Sequence, residues 1–570
     1  MANYPADKNR VLNSSYRSSA NFYTSDVMLQ DFLRRKLSAE AYEAIKGRLK
    51  QTGKTAALEM DALSLKADRQ GPRLNKRDAW GVALDQVEFH PAYHRLMDIA
   101  VESGMLTVKW SPEWRKRFPR ERHLMSFGIS SLYALAETGA YCPLCMTDGA
   151  AVLIDQFCDE EDKARLLPAI YTSTFAEMKT GAMYLTEKAG GSDVGATLAV
   201  AEHLEGKTYA LTGEKWFCSN ANGDIAFVLA RTNSNKPRPD KTRPDQKGTS
   251  GLSIFLVEKA LPDGTKNPME IIRLKDKLGV RSMASAEIML QETRGTLVGE
   301  EGQGFKIMTA MINLSRVYNS MAAHSASKRA LIEAYQFLTG RDTFGKNALE
   351  HPLVRKKLAE LAALNTACFY LVWRAVEALD SQDEDEASLL RLLTPMVKKW
   401  SAEVGVYLTR EAMELMGGIG YIEDQVMPKL MRDVMVLPIW EGAGNIMLLD
   451  MLRASGKSKG LAVMLEKIER AASDPAHGDW IKQESETLTA YSKELFAMDS
   501  EAMQYNAPAF FNRLTRLFQM SVMIEARDGA NAPWIEPTLQ YLRRHAEGET
   551  LTPESVPSRE VIEEMLAWKA

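Results

Sequence analysis

The chain has 570 residues, of which 45% are hydrophobic and 26% charged, and its formal net charge at pH 7 is -4. This length and composition predict several packed globular units rather than a fibrous or disordered chain. The near balance of charge excludes a global attraction to nucleic acid or anionic membrane. No run of about 18 apolar residues occurs, and the opening stretch MANYPADKNRVLNSSYRSS lacks an apolar core, so neither a membrane span nor a secretory signal is predicted.

Cysteine and histidine usage argues against a disulfide framework and against a metal site. The five cysteines are sparse and odd in number, which predicts a reducing compartment, by default the cytoplasm. Cys142 and Cys145 form a CxxC, but no second ligand pair accompanies it, so we expect a structural role. His90 and His94 in FHPAYH are four residues apart with a proline between them, and we expect them to pack rather than to bind zinc.

Apolar periodicity divides the first half of the chain in two. Residues 1–180 show mostly helical spacing, as in DVMLQDFLRRKL and AAVLIDQF, with turns at GPRLN and WSPEW. Residues 181–296 contain short stretches rich in branched and aromatic residues, including TYALTG, IAFVLART, LSIFLVEK and AEIMLQ, which predict a β domain. Within it, Asn233–Ser250 is polar with three prolines and charges of both signs. This segment predicts a solvated loop between strands rather than a basic nucleic-acid arm.

Helical spacing returns in the second half. Residues 297–454 predict a helix bundle, whose longest segment, LLRLLTPMVKKWSAEVGVYLTREAMELM, should end at the pair Gly417–Gly418. Residues 455–570 predict a separate helical appendage with breaks at SDPAHG, NAPAF and TPESVPS. This tail carries 13 Lys or Arg and 18 Asp or Glu, a net charge of -5. Binding to duplex DNA requires a clustered basic face, so the tail does not resemble a DNA clamp.

Two motifs in the β region combine polar groups with backbone freedom or flat rings. MYLTEKAGGSDV, residues 183–194, supplies hydroxyls at Thr186 and Ser192, and its paired glycines allow close approach of a ligand. GEKWFCSN, residues 213–220, places the aromatic Trp216 and Phe217 beside Ser219, which suits a heteroaromatic ring that needs polar edge contacts. Taken alone, the first motif is also consistent with a tight turn, and the second with a packed core.

A third motif, IWEGAGN at Ile439–Asn445, holds a single carboxylate among small and apolar residues. Glu441 is the only charged residue between Asp433 and Asp450. One interpretation is a solvated glutamate in a turn. The other is a carboxylate that poor hydration makes more basic than usual, because burial disfavours the charged form.

In order and spacing these segments resemble the acyl-CoA dehydrogenase flavoprotein superfamily, from about Tyr141 to Arg453. KLGVRSMASAEI, GRDTFGK, MGGIGY and RD…IWEG match its later motifs. The resemblance implies a multidomain α+β fold with an N-terminal helical domain (1–180), a middle β-barrel or sandwich domain (181–296), a C-terminal four-helix bundle (297–454) and an extra helical appendage (455–570). WEGA in place of the usual YEGT, together with FHPAYH, the long amino-terminal region and the helical tail, is similar to the AidB-like branch, named for a bacterial alkylation-response protein.

The resemblance implies FAD-dependent α,β-dehydrogenation of an acyl-CoA thioester, with a medium or long fatty acyl chain as in β-oxidation, to the trans-2-enoyl-CoA. Glu441 would remove the proton next to the thioester carbonyl. The thioester oxygen would be stabilised by the backbone N–H of Glu441 and a ribityl hydroxyl of the flavin. Some family members carry the base before an arginine on an earlier helix, but here Ser315 precedes Arg316, and a serine cannot act as a carboxylate base.

The resemblance also implies the residues that bind cofactor and substrate. Seven would hold the flavin within the chain: Met183, Leu185, Thr186, Gly191, Ser192, Phe217 and Ser219. Three would contact the adenine-dinucleotide part from a neighbouring subunit: Arg341, Phe344 and Gly418. Ala443 lacks the hydroxyl usually offered to the pyrophosphate, a loss for which Asn445 would compensate, and Arg316 and Gly442 would contact the substrate. The implied assembly is a homo-oligomer, typically a tetramer, with electron-transfer flavoprotein as the electron acceptor.

Two alternatives follow from the AidB-like branch. One is a DNA-associated protection protein that keeps flavin but has little dehydrogenase turnover, a role that the acidic tail disfavours. The other is a catalytically weak flavin or acyl-CoA sensor. The residues themselves specify neither the acyl chain length nor whether the electron acceptor is electron-transfer flavoprotein or oxygen.

Overall fold

The structure is a computed structural model that describes residues 19–232, 248–547 and 556–569. Most of the predicted loop Asn233–Ser250, residues 233–247, lies outside them. Within the described residues the chain forms two compact units. Unit 1 comprises residues up to 61, 118–136 and 319–570, and unit 2 comprises 62–117 and 137–318. No described helix is long and apolar enough to cross a bilayer.

The α-helices of the described ranges are, in chain order, α1 Phe22–Ser25, α2 Val27–Lys36, α3 Ala39–Thr55, α4 Asp61–Arg69, α5 Pro91–Ser103, α6 Thr107–Trp110, α7 Pro112–Arg117, α8 Arg122–Ala134, α9 Tyr141–Phe157, α10 Glu160–Leu166, α11 Gly304–Thr339, α12 Pro352–Asp380, α13 Glu384–Met416, α14 Gly418–Tyr421, α15 Met427–Val434, α16 Gly444–Lys457, α17 Gly460–Ala471, α18 Gly478–Ala497, α19 Ser500–Ala526, α20 Ala532–Glu547 and α21 Arg559–Leu566. The strands are β1 Arg73–Arg77, β2 Ala83–Glu88, β3 Gly181–Tyr184, β4 Val200–Glu205, β5 Thr208–Ser219, β6 Ile225–Thr232, β7 Leu252–Glu258, β8 Met269–Leu274, β9 Ser285–Val298, β10 Asp342–Thr343 and β11 Lys346–Asn347.

Unit 2 is built around a seven-stranded sheet with the order β3-β6-β4-β5-β9-β7, and β8 also pairs with β9. Because β6 pairs with β7 as well, the strands β4, β5, β9, β7 and β6 close into a ring. Inward-facing residues such as Leu211, Val228, Phe255 and Ile288 are fully buried. Ring closure leaves few free strand edges, and it presents the loops after β3 and β5 at the rim of a rigid barrel.

A short hairpin departs from the helical reading of residues 1–180. β1 and β2 pair antiparallel, with Leu74 opposite Val87. Lys76 anchors the hairpin on the barrel, because its Nζ donates to the carbonyl of Ile271 at 2.7 Å and to Glu270 at 2.9 Å. The segment is polar and alternates between exposed and half-buried positions. A long-range contact, not apolar periodicity, therefore specifies this strand pair.

Unit 1 is helical apart from the two-residue strands β10 and β11. α13 ends at Met416, before Gly417 with φ 61°, as the sequence predicted. The tail helices belong to this unit, and α19, α20 and α21 pack against α12. The tail also meets the amino-terminal helices, because the N–H of Val27 donates to the carbonyl of Ala567 at 3.0 Å. The predicted fold class, with helical regions around a middle β domain and additional C-terminal helices, is confirmed.

The predicted helix break at NAPAF was wrong. α19 runs from Ser500 to Ala526 with Pro508 inside it. Phe510 and Phe511 immediately follow the proline and are buried, and Phe510 makes edge-to-face contacts with Tyr491 and Phe496 of α18. Burying aromatic side chains stabilises the helix by several kcal/mol, roughly the cost of an internal proline of about 3 kcal/mol.

Candidate functional site

The loop after β3 is folded back on itself by a buried ion pair. The carboxylate of Glu187 accepts the backbone N–H groups of Leu198 at 2.6 Å and Ala199 at 3.1 Å, and the ammonium of Lys215 lies 2.7 Å away. Burial lowers the pKa of Lys215, and the charge and hydrogen bond of Glu187 oppose that shift. The pair therefore ties both ends of residues 187–199 to strand β5.

The same loop is held close to strand β5 and to the side chain of Thr186. The N–H of Trp216 donates to the carbonyl of Thr186 at 2.9 Å, which brings the two predicted flavin motifs together. A Cβ at Gly191 would lie 2.8 Å from the Thr186 hydroxyl, and Gly190 has a φ of 134°. Glycine is therefore required at 191 by close approach and at 190 by the backbone conformation.

The predicted flavin residues of unit 2 form a polar and aromatic surface that is not packed away. Phe217 is 58% exposed, an unusual state for a phenyl ring in a strand. Ser219 is half-buried, with its hydroxyl 3.5 Å from that of Ser285. Met183, Leu185 and Thr186 are likewise half-buried, and Gly191 and Ser192 are exposed. An open aromatic face beside hydroxyls fits the ring and polar edge of a flavin.

Lysines surround the indole next to this surface. The ammonium of Lys275 lies 3.3 Å from the centre of the Trp216 ring and 4.7 Å from that of Phe217. Lys275 also pairs with Glu287 at 2.6 Å. Hydrogen bonds from Arg273 and Lys275 lower the pKa of Glu287 despite its desolvation. Trp216 is thus held by cation–π contacts beside the flavin motif.

In unit 1, Glu441 lies on a turn between α15 and α16 and is half-buried. Its φ of 57° is in the left-handed region, and the next residue, Gly442, has a φ of 103°. A left-handed conformation is uncommon for a residue with a side chain, and such outliers cluster at functional sites. The predicted rise in the pKa of Glu441 stays a prediction.

Two buried side chains hold the neighbours of Glu441. The indole N–H of Trp440 donates to the side-chain oxygen of Asn319, which is 4% exposed. The ammonium of Lys398, from the middle of α13, donates to the carbonyl oxygen of Gly442 at 2.5 Å. Lys398 is fully buried. The turn is therefore fixed on both sides of its carboxylate.

After the turn, Ala443 precedes the first residue of α16. A Cβ at Gly444 would lie 3.3 Å from a carboxylate oxygen of Glu403, so space at the helix start is tight. Asn445 is exposed, and its side-chain oxygen accepts the N–H of Ile446 at 3.0 Å. The first turn of α16 thus presents backbone N–H groups together with the Asn445 amide, an arrangement that suits an anion.

The residues predicted to reach a neighbouring subunit are all at the surface of unit 1. Phe344 is 97% exposed with a φ of 51°, and it forms the tip of the hairpin between β10 and β11. Arg341 and Gly418 are also exposed. The ring makes an edge-to-face contact with His351 of its own unit at 5.9 Å between ring centres, but most of its surface stays open.

The remaining predicted substrate contact lies in α11. Arg316 is 9% exposed and donates to the side chain of Asn313 at 3.3 Å, and the preceding Ser315 is 2% exposed. Both belong to unit 2, whereas Asn319, one turn further along the helix, belongs to unit 1.

Several residues that hold the site were not recognised from sequence. Glu187 lies inside the motif MYLTEKAGGSDV and Lys215 inside GEKWFCSN. The presence of one acidic and one basic residue in these two motifs was the signal that could have predicted their ion pair. Lys398 and Asn319 carried no signal, because each acts on a turn distant in the chain.

The other candidate motifs have structural roles. The ring of His90 accepts the N–H of Ala92 at the start of α5, and Tyr93 stacks on Phe89 at 4.1 Å. Cys142 and Cys145 are buried and are not joined in a disulfide. Across the described ranges, no cluster of three or more histidine, cysteine or acidic side chains has the arrangement of a metal site.

Three family descriptions match successive parts of the chain: the adaptive response protein AidB N-terminal domain over residues 13–176, the acyl-CoA dehydrogenase middle domain over 182–293 and the acyl-CoA dehydrogenase C-terminal domain over 302–456. These matches, together with the barrel, the exposed Phe217 and the Glu441 turn, show that the chain belongs to the acyl-CoA dehydrogenase family. Members of this family are FAD-dependent oxidoreductases.

Two kinds of relatives place it within that family. It is 33% identical to the putative acyl-CoA dehydrogenase AidB of Escherichia coli over 461 residues, 79% of this chain and 81% of that protein. The structure of Caenorhabditis elegans ACDH-11 in complex with C11-CoA superposes with a TM-score of 0.83 at 26% identity, covering 96% of this chain and 95% of that one. The apo form of Bd2924 gives a TM-score of 0.80 at 29% identity, covering 89% and 97%.

Proposed function

We propose that this protein oxidises a medium- or long-chain fatty acyl-CoA thioester to its trans-2-enoyl-CoA. The observation that carries the proposal is the Glu441 turn, an ordered, half-buried carboxylate with a left-handed backbone in a chain of this family. The similar ACDH-11 structure, which contains C11-CoA, supports an acyl chain of medium length.

In the proposed reaction the Glu441 carboxylate takes the proton from the carbon next to the thioester carbonyl. General-base action of this kind contributes about 10²–10⁴-fold to the rate. FAD, when bound, supplies the oxidising power by accepting the hydride from the β carbon. The substrate thus loses one proton and one hydride, and a double bond forms between the two carbons. The backbone N–H of Glu441 would stabilise the charge that develops on the thioester oxygen.

The flavin would be held in unit 2 by the seven predicted residues from Met183 to Ser219. Their open surface supports this role, because the ring of Phe217 is 58% exposed and Thr186 and Ser219 are only half-buried. Ala443 and Asn445 at the start of α16 would face the pyrophosphate, and Arg316 and Gly442 would contact the acyl-CoA.

We further propose a homotetramer in which Arg341, Phe344 and Gly418 complete the cofactor site of a neighbouring subunit. The 97% exposure of Phe344 supports a partner that covers it. Electron-transfer flavoprotein is the proposed electron acceptor, and a reducing cytoplasm is the proposed location, which suits five cysteines that form no disulfide among the described residues.

The proposal is tested by mixing purified FAD-loaded protein anaerobically with straight-chain acyl-CoAs of four to sixteen carbons while flavin absorbance is followed. We expect bleaching of the oxidised flavin, fastest with a medium or long chain, and a trans-2-enoyl-CoA product by mass spectrometry. A protein that binds FAD in full but whose flavin no acyl-CoA of the series reduces would contradict the proposal.

A further inference from the structure

Glu441 has a backbone conformation that an isolated peptide would rarely adopt. Its φ of 57° is followed by 103° at Gly442, so two consecutive residues leave the right-handed and extended regions. For a residue with a Cβ, this conformation persists only where surrounding groups hold it. The groups that do so are therefore part of the site's chemistry if Glu441 is the base.

The contact on the C-terminal side is made by a fully buried lysine. Lys398 lies at the centre of the 33-residue helix α13, its side chain is fully buried, and its ammonium donates to the carbonyl oxygen of Gly442. Removing an ammonium from water is unfavourable unless strong hydrogen bonds compensate. A helix interior is also among the most rigid positions from which to fix a loop.

The contact on the N-terminal side is made by Asn319. Its side-chain oxygen accepts the indole N–H of Trp440, and its own amide nitrogen is buried without a partner in the structure. The hydrogen bond fixes the ring that directly precedes Glu441. Both contacts act on the neighbours of Glu441 rather than on the carbonyl or amide of Glu441 itself.

We propose that Lys398 and Asn319 are positioning residues that clamp the peptide on either side of Glu441 and so aim its carboxylate at the substrate carbon. The inference rests on the proposed function, in which Glu441 is the base. Lys398 is the dominant member, because a charged donor to a carbonyl is stronger than a neutral pair. Misplacement of a catalytic group by about 1 Å can cost on the order of 100-fold in rate.

The test replaces Lys398 by Met, which keeps the length and apolar stem of the side chain but removes the donor. Arg410→Met serves as the matched control, because Arg410 lies on the same helix, has a side chain that is 53% exposed, and pairs with the exposed Glu414 and with the neighbouring Glu411 rather than with the turn. Asn319→Leu is the second variant, of similar volume, for the case that Lys398→Met does not fold.

We expect Lys398→Met to keep its FAD and to bind acyl-CoA with a Kd within threefold of the parent, while flavin reduction at saturating acyl-CoA slows at least tenfold. Exchange of the α-hydrogens of acyl-CoA with D₂O should slow by the same factor. A residue with only a structural role would lower FAD content or thermal stability instead. Asn319→Leu should show the same split with a smaller loss, and Arg410→Met should match the parent.

A measurement that needs neither flavin nor turnover separates the clamp from the proposed function. Amide hydrogen exchange of the FAD-free protein, read by mass spectrometry over residues 436–446, should become at least tenfold faster in Lys398→Met and unchanged in Arg410→Met. If the parent reduces flavin but Lys398→Met does so at the parental rate with parental protection of the turn, the clamp is refuted. If no acyl-CoA reduces the parent's flavin, the proposed function fails, and parental protection in Lys398→Met and in Asn319→Leu would refute the clamp as well.

Discussion

Lys215 in unit 2 and Lys398 in unit 1 are both fully buried, yet they act on different kinds of partner. Lys215 donates to a carboxylate, that of Glu187, which also accepts two backbone N–H groups. Lys398 donates to a backbone carbonyl next to a second glutamate, Glu441. In the first region the glutamate carboxylate has a structural role. In the second, the lysine fixes the backbone of the turn that carries the proposed base.

The comparison teaches how to separate a structural acid from a catalytic one. Glu187 and Glu441 both lie beside glycine-containing turns in segments that resemble family motifs. Glu187 is marked as structural because its carboxylate accepts two backbone N–H groups and pairs with a buried ammonium. The predictions below test this contrast.

The largest expected effect separates the two glutamates by activity. Glu441→Gln keeps size and shape but removes the basic lone pair, so flavin reduction by an acyl-CoA that reduces the parent should fall at least about a hundredfold, with FAD content unchanged. Stopped-flow absorbance measures the rate. If Glu441→Gln reduced flavin at the parental rate, Glu441 would not be the base, and the contrast between Glu187 and Glu441 would fail.

The next effect breaks the structural pair. Lys215→Met leaves the buried Glu187 charge without its ammonium, which should lower the free energy of unfolding by about 3–5 kcal/mol and weaken FAD binding. Urea unfolding followed by circular dichroism measures the loss. Glu187→Gln in the same chain removes the uncompensated charge and keeps an oxygen for the two N–H groups, so the double variant should regain part of the stability. No recovery would show that the ion pair is not the cause.

A third carboxylate, that of Asp380, serves as a reference for how much a structural acid contributes to stability. Asp380 accepts the N–H groups of His123 at 3.0 Å and Leu124 at 2.9 Å, and its carboxylate also meets the His123 ring at 2.8 Å. Desolvation would raise the pKa of Asp380, but these hydrogen bonds and the histidine charge lower it below its usual value. Asp380→Asn should therefore cost about 1–3 kcal/mol of unfolding free energy at pH 7.

The pH dependence of that cost has a definite sign. A carboxyl whose pKa is lower in the folded than in the unfolded state stabilises the fold above the unfolded value of about 3.9 and loses this contribution as pH falls through the folded value. The stability gap between the parent and Asp380→Asn should thus shrink as pH falls below about 4. If the stability gap grew as the pH fell, the pKa of Asp380 would be raised rather than lowered in the folded state.

The smallest effect is expected one residue from Lys398. Lys399 pairs with Glu403 at 2.7 Å across one turn of α13, and their side chains are 14% and 48% exposed. Lys399→Met should change the unfolding free energy by no more than about 0.5 kcal/mol, because a helical pair at this spacing with an exposed partner contributes little. Urea unfolding at two salt concentrations checks this. If the loss of unfolding free energy were as large as that expected for Lys215→Met, side-chain burial would not explain how much each lysine contributes to stability.

Strong local patterns made most of the fold predictable. IAFVLART forms β6, LSIFLVE forms β7, and the long helix α13 ends at the glycine pair, because branched runs and a helix-ending glycine act through the local chain. The hairpin of β1 and β2 was missed because its strands are polar and are anchored by Lys76 on the distant β8. Pro508 was read as a break because the aromatic contacts that retain the helix are made with α18.

The sequence by itself determined the family and predicted the flavin motifs and the candidate base Glu441, because short segments in one order carry that information locally. Only the tertiary structure revealed which groups hold them. Lys398 lies 43 residues before Glu441 in the chain and Asn319 lies on another helix, and nothing in their own neighbourhoods marks them. Likewise, the two N–H groups and the ammonium that hold Glu187 come from residues 11 to 28 positions further along the chain. Such partners are set by the packing of distant elements, and no local pattern encodes them.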